Sequence, residues 1–190
     1  VAVVGIGWWS DVLTDAAKRS NLFDVATCYT RSADKRAAFA AYYSLGAVAV
    51  TILCVVALHR LEPEFDPSWR MLSEYSLGKY GVVMRIAFIL GGTGVAASGV
   101  ALWQPAGLLA VGLPVVALGP IGAAFVDTDP ITTPRPEITI RGKVHAGLGS
   151  LFILGFPVAA TCAGIGAAMH SPAGLFLAWA SIIPAAPSSP

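Results

Sequence analysis

The sequence predicts an all-α membrane protein, a multi-span helical bundle of about five transmembrane helices, preceded by a truncated βαβ segment. Three observations carry that prediction. Only 12 % of the residues are charged and the mean hydropathy is +0.71, whereas a soluble domain carries about 25 % charged residues. Two uncharged runs, 22 residues from Ala37 to Leu58 and 41 from Ile86 to Val126, match or exceed the ~20 residues that cross a hydrocarbon core as a helix. Between them lies a polar island, His59 to Gly81, with the sequence HRLEPEFDPSWRMLSEYSLGKYG. The net charge of +1 supplies no basic field, so no nucleic-acid partner is expected and the implied partner is the lipid bilayer.

Residues 1–40 read differently from the rest. The β-branched run VAVVG leads through Gly5-Ile6-Gly7-Trp8-Trp9-Ser10 into a helix-like stretch from Asp11 to Arg19. Strand, glycine turn and helix N-terminus in that order let backbone N–H groups approach a dinucleotide pyrophosphate. Val25 to Tyr29 forms a second strand, and Thr30-Arg31-Ser32-Ala33-Asp34-Lys35 opens another helix. The segment is therefore read as a partial Rossmann-like NAD(P)-binding unit. About 40 residues are too few to close a parallel sheet, because each crossover must pack on further strands.

Residues 41–190 read as the transmembrane bundle, with spans near 41–58, 82–102, 106–126, 146–169 and 173–190. Tyr42 and Tyr43 open the first span, where amphipathic rings favour the headgroup zone. Trp103-Gln104-Pro105 divides the 41-residue run into a hairpin, and Asp127 to Lys143 forms a second polar loop with prolines at 130, 134 and 136. Ala146 to Met169 makes the fourth span, and Ala173 to Ile183 starts a fifth that breaks off in prolines. Gly92 with Ala96 and Gly94 with Ser98 place small residues four apart, which favours close helix packing and suits helix–helix oligomers.

This count puts both polar loops on one face and the short connectors with the N-terminus on the other. The looped face holds six Lys or Arg and the two connectors hold none, so the charge rule makes the looped face cytoplasmic in a multi-pass protein of the cell membrane. Arg31, Lys35 and Arg36 pull the other way, a conflict that suggests a chimeric or mis-joined chain. Val1 and the PAAPSSP tail read as the ends of a fragment, with no basic leader before the first apolar run. Cys28, Cys54 and Cys162 are widely spaced, two of them in apolar runs, and read as small buried thiols.

The run GIGWWSDVLTDAAKRSNLFDVATCYTRSADKRAAFA resembles the start of the Gfo/Idh/MocA oxidoreductases, up to about Phe39. That resemblance implies NADP(H) binding, with Gly5, Gly7, Trp8 and Ser10 near the pyrophosphate and Thr30, Arg31 and Ser32 at the ribose end, where arginine suits a 2′-phosphate. The family's later Glu-Lys-Pro motif is missing, so hydride transfer by this chain alone is not expected. From about Ser44 onward, LHRLEPEFDPSWRMLSEYSLGKYGVVMRIAF, then FVDTDP, then GKVHA resemble the bacterial membrane family catalogued as domain of unknown function 998. The resemblance implies a multi-span bundle without an assigned activity, and further hydrophobic sequence at the C-terminus.

Glu62, Glu64, Asp66 and Glu74 from the first loop, Asp127 and Asp129 from the second, and His145 at the mouth of the fourth span emerge on one face. Such a set could bind a divalent cation or a cationic headgroup, or move a proton, as in a transporter or lipid-modifying enzyme; no H-E-x-x-H or comparable metal-ligand spacing occurs. Arg85, about one turn inside the second span, is expected to snorkel to the interface. If it turns inward, Glu74, Asp127 or Asp129 is its natural partner.

Overall fold

The computed structural model describes residues 2–4, 27–29 and 32–169. The strands Ala2–Val4 (β1) and Thr27–Tyr29 (β2) pair in parallel, Ala2 opposite Thr27. The expected glycine turn and crossover helix lie outside the described residues, as does the span expected at 173–190.

Five helices follow among the described residues. Helix α1, Ala33–Leu61, begins at the N-cap Ser32, whose side chain accepts from Lys35 N–H, with Asp34 in the first turn; both features favour a helix N-terminus. It ends at Glu62, which precedes Pro63 and is therefore biased out of the helical region. The helix expected after the second strand and the first expected span are thus one helix, 29 residues or about 44 Å long. It crosses residue 40, where the two segments were expected to meet.

Helix α2, Gly81–Ala101, is the second expected span. The third, expected at 106–126, is not a single helix. A short helix α3, Trp103–Ala106, a 3₁₀ turn Gly107–Ala110 and helix α4, Gly112–Ala123, together bend by 72°. Gly107 sits at φ +56° at the end of α3, a backbone state that glycine enters at little cost. Helix α5, Ile140–Ala168, is capped by Thr139, whose hydroxyl accepts from Gly142 N–H. Among the described residues three helices are long and apolar enough to cross a membrane, or four if the bent α3–α4 unit counts as one span. The chain is a multi-pass membrane protein.

Helix α1 packs on α2, α2 on α4, and α4 on α5. Small residues lie inside and large ones face outward: Ala117 and Ala163 are buried, whereas Leu45, Leu53, Ile153 and Leu154 are exposed. That inversion suits lipid, which solvates large apolar side chains and leaves packing to close backbone approach. Gly92 lies against Ile121 and Ala117 of α4, while Gly94 lies against Ala47 of α1. The two small pairs on α2 therefore serve opposite neighbours. Ser98 adds a hydroxyl contact to Ser44 at 2.6 Å. Cys54 and Cys162 are free and only half-buried, which corrects the expectation of buried thiols.

Candidate functional site: the polar cap

The two polar loops fold together over one end of the bundle. Beneath them Leu58, Tyr75, Met84 and Ala87 form a buried cluster, with Phe65, Tyr80 and Phe88 packed against it. The chain leaves α1 at Glu62, passes through a 3₁₀ turn at Leu72–Leu77, and re-enters the bundle at Gly81. This path buries two carboxylates, Glu62 at 1 % and Glu74 at 0 % exposure. A buried charge persists only when paired or hydrogen-bonded, so their partners define the site.

Glu74 fastens one loop to the other. Its Oε1 accepts from the backbone N–H of Ile131, and its Oε2 lies 3.5 Å from Arg70 Nη1. Arg70 in turn lies over the rings of Trp69 and Phe65, at 4.8 and 5.3 Å from their centroids. Glu62 bends back over Gly78, and its Oε1 accepts from Tyr80 N–H at 2.6 Å. A Cβ at residue 78 would stand 2.2 Å from that carboxylate, so glycine is what lets the backbone pass. Glu62 Oε2 is buried and has no hydrogen-bond donor among the described residues; Glu74 Oε2 and Arg70 Nε likewise lack hydrogen bonds there.

Tyr75 occupies the middle of the cap. It stacks on His59 at 5.3 Å, and its hydroxyl donates to Phe65 O at 2.8 Å. Burial raises the Tyr75 pKa above its ordinary value, with the negative charges of Glu62, Asp66 and Glu64 adding to the shift. Asp66 is shifted the other way: hydrogen bonds from the backbone and side chain of Ser68 hold its carboxyl below the usual range.

The second loop uses its acids differently. Asp127 pairs with Arg85 at 2.5 Å and lies 3.6 Å from Arg141. Of the three partners open to Arg85, the structure selects Asp127; the Arg85 side chain keeps 38 % exposure and also donates to Ala124 O. It pairs and snorkels at once. Asp129 accepts from Thr139 N–H at 2.7 Å and from its hydroxyl at 3.0 Å, holding the start of α5. His145 is buried, and its Nδ1 donates to Val126 O at 2.7 Å beside the Phe88 ring. A carbonyl only accepts, so Nδ1 carries the proton.

The expected set therefore shares one face but does not converge on one point. Among the described residues, no group of three or more His, Cys, Asp or Glu is placed to hold a metal ion. Glu62 belongs to the expected set, but its burial depends on the chain folding back across 18 residues to Tyr80, which no local pattern encodes; Arg70 and Tyr75 lie outside that set, although the i,i+4 spacing of Arg70 and Glu74 is legible in the sequence. Of the residues expected to hold NADP(H), Gly5, Gly7, Trp8, Ser10, Thr30 and Arg31 lie outside the described side chains, and Ser32 is the N-cap of α1.

The model of the family described as Protein of unknown function (DUF998) matches residues 45–190. The chain belongs to the DUF998 family. The match takes in most of α1, the whole polar cap and helices α2 to α5, and it leaves β1, β2 and the first turns of α1 outside. No curated protein and no solved structure matches the chain. The DUF998 match thus agrees with the multi-pass architecture and brings no assigned activity to the cap.

Proposed function

We propose that this DUF998 protein uses its polar cap to bind a proton or a small monovalent cation at the membrane boundary, with Glu62 as the receiving group. The observation that carries this is the Glu62 carboxylate: one oxygen is fixed by Tyr80 N–H, and the other is buried without a donor among the described residues. Leaving a buried polar atom unmatched costs about 1–3 kcal/mol, more when it is charged. A proton or a cation at Oε2 removes that cost. A single receiving carboxylate favours a monovalent species over a divalent ion, which needs several oxygen ligands. Such a site suits a transporter or a membrane enzyme that couples to ion or proton movement. The six basic residues of the looped face place the cap on the cytoplasmic side of the cell membrane in this proposal.

The test is thermal unfolding of the detergent-purified protein between pH 5 and 8, in sodium, potassium or N-methylglucamine chloride. Wild type is expected to change its Tm with pH alone for a proton, or with the small cation for an ion. Glu62→Gln keeps an oxygen to accept from Tyr80 and should lose that response. A wild-type Tm indifferent to both variables overturns the proposal.

A second proposal concerns the N-terminus. We propose NADP(H) contact by Gly5, Gly7 and Arg31 on a partner that completes the sheet; what favours it is that β1 and β2 pair in parallel, as a βαβ nucleotide-binding start requires. NADPH binding by the purified full chain, lost in Gly7→Asp, is the expected result; no binding at millimolar NADPH counts against it.

A further inference from the structure

The first loop of the cap holds a cation chiefly by ring faces and charge. The guanidinium carbon of Arg70 stands 4.8 Å from the Trp69 ring centroid and 5.3 Å from that of Phe65, both inside the ~6 Å reach of a cation–π contact. The Glu74 carboxylate, fully buried, places Oε2 3.5 Å from Arg70 Nη1. An Arg–Glu pair four residues apart is ordinarily an exposed ion pair of little worth. Here the acid has left water, yet among the described residues its Oε2 accepts no hydrogen bond, and Arg70 Nε, also buried, donates none.

Two ring faces and a buried anionic oxygen are a poor match for a guanidinium, which presents five N–H donors. They match a quaternary ammonium, which carries its charge on methyl groups and has no N–H to leave unmet. We propose that Phe65, Trp69 and Glu74 form a binding site for a quaternary ammonium group, of a free solute or of a lipid headgroup, and that Arg70 is its internal occupant. The Arg70 side chain keeps 24 % exposure, so the guanidinium can turn into water, where its donors are hydrated. Trp69 is 52 % exposed and opens the site outward. Glu74 keeps Oε1 on Ile131 N–H, so the ligand enters without unfastening the loops. The site shares no residue with the Glu62 site and does not rest on that reading.

The test is saturation-transfer difference NMR on the methyl protons of tetramethylammonium, added to the full chain in maltoside micelles at constant ionic strength. Wild type is expected to bind tetramethylammonium in preference to methylammonium, which carries N–H donors. Arg70→Ala should bind it about tenfold more tightly, as when a competent state populated about one time in ten becomes the only one. Its Tm should rise with tetramethylammonium and not with sodium. Trp69→Leu, at an exposed position, should weaken binding about tenfold, the worth of one desolvated cation–π contact. Glu74→Gln keeps an oxygen for Ile131 and should also weaken binding. Glu62→Gln should leave it unchanged, so failure at Glu62 and failure here are read separately. In phosphatidylglycerol nanodiscs, displacement of tetramethylammonium by phosphatidylcholine with a deuterated headgroup assigns the site to a lipid, and retention assigns it to a free solute. Binding by neither wild type nor Arg70→Ala overturns the proposal, as does equal binding of methylammonium, or an Arg70→Ala affinity no higher than wild type. Binding unchanged in Trp69→Leu overturns it too, and decides the matter if Arg70→Ala does not fold.

Discussion

The cap and the α4–α5 interface are held together in opposite ways. In the cap, carboxylates reach across the chain to backbone N–H groups: the buried Glu74 to Ile131 and Glu62 to Tyr80, and the half-buried Asp129 to Thr139. Between α4 and α5 polar side chains are scarce, and the helices approach through glycine. A Cβ on Gly119 would stand 2.5 Å from Leu148 O, and one on Gly155 would stand 2.7 Å from Val116. At the membrane boundary irregular backbone needs hydrogen-bond partners, so the cap is built from acceptors. Within lipid the helices already satisfy their own backbone, and contact area gained by close approach is what remains.

Removing an acceptor from the cap should have the largest effect. Glu74→Ala deletes the acceptor for Ile131 and leaves Arg70 beside an empty site, so it is expected to lower stability by about 3–5 kcal/mol, as breaking a buried pair does. Equilibrium unfolding in mixed micelles measures it; a loss below 1 kcal/mol would mean that the loops are not fastened through this carboxylate.

Smaller effects are expected in the membrane interface. Gly119→Ala meets backbone and should cost about 1–3 kcal/mol through overpacking. Gly147→Ala on α5 meets nothing within 4 Å and should be neutral or stabilise by about 0.5–1 kcal/mol, by the difference in backbone entropy. Equal effects at the two positions would remove glycine-mediated approach as the distinguishing feature of this interface.

A small effect at neutral pH is also expected at Tyr75. Tyr75→Phe loses the bond to Phe65 O, worth about 1 kcal/mol. Its pH dependence sharpens the comparison. The folded pKa is raised, so the protonated phenol favours the folded state. That contribution is fully present below the unfolded value near pH 10 and is lost as pH rises through the folded value. The alkaline limb of a stability profile should therefore flatten in Tyr75→Phe, while variants in the α4–α5 interface keep it.

The sequence by itself determined the membrane class, the polar loops on one face and the small-residue stripe on α2, because uncharged length and residue size are local properties that lipid reads directly. It also marked Arg85 and its possible acidic partners. Tertiary structure alone decided that Asp127 is that partner, that Glu74 reaches Ile131, and that Glu62 is buried against Gly78. These pairings join residues far apart in the chain, and their geometry follows from how the loops close over the bundle. The third span shows the same division. Its apolar length called for a crossing helix, but the backbone state at Gly107 and the packing of α4 on α2 and α5 turned it into a bent unit. Hydropathy records what lipid will accept, and only packing fixes the path the chain takes through it.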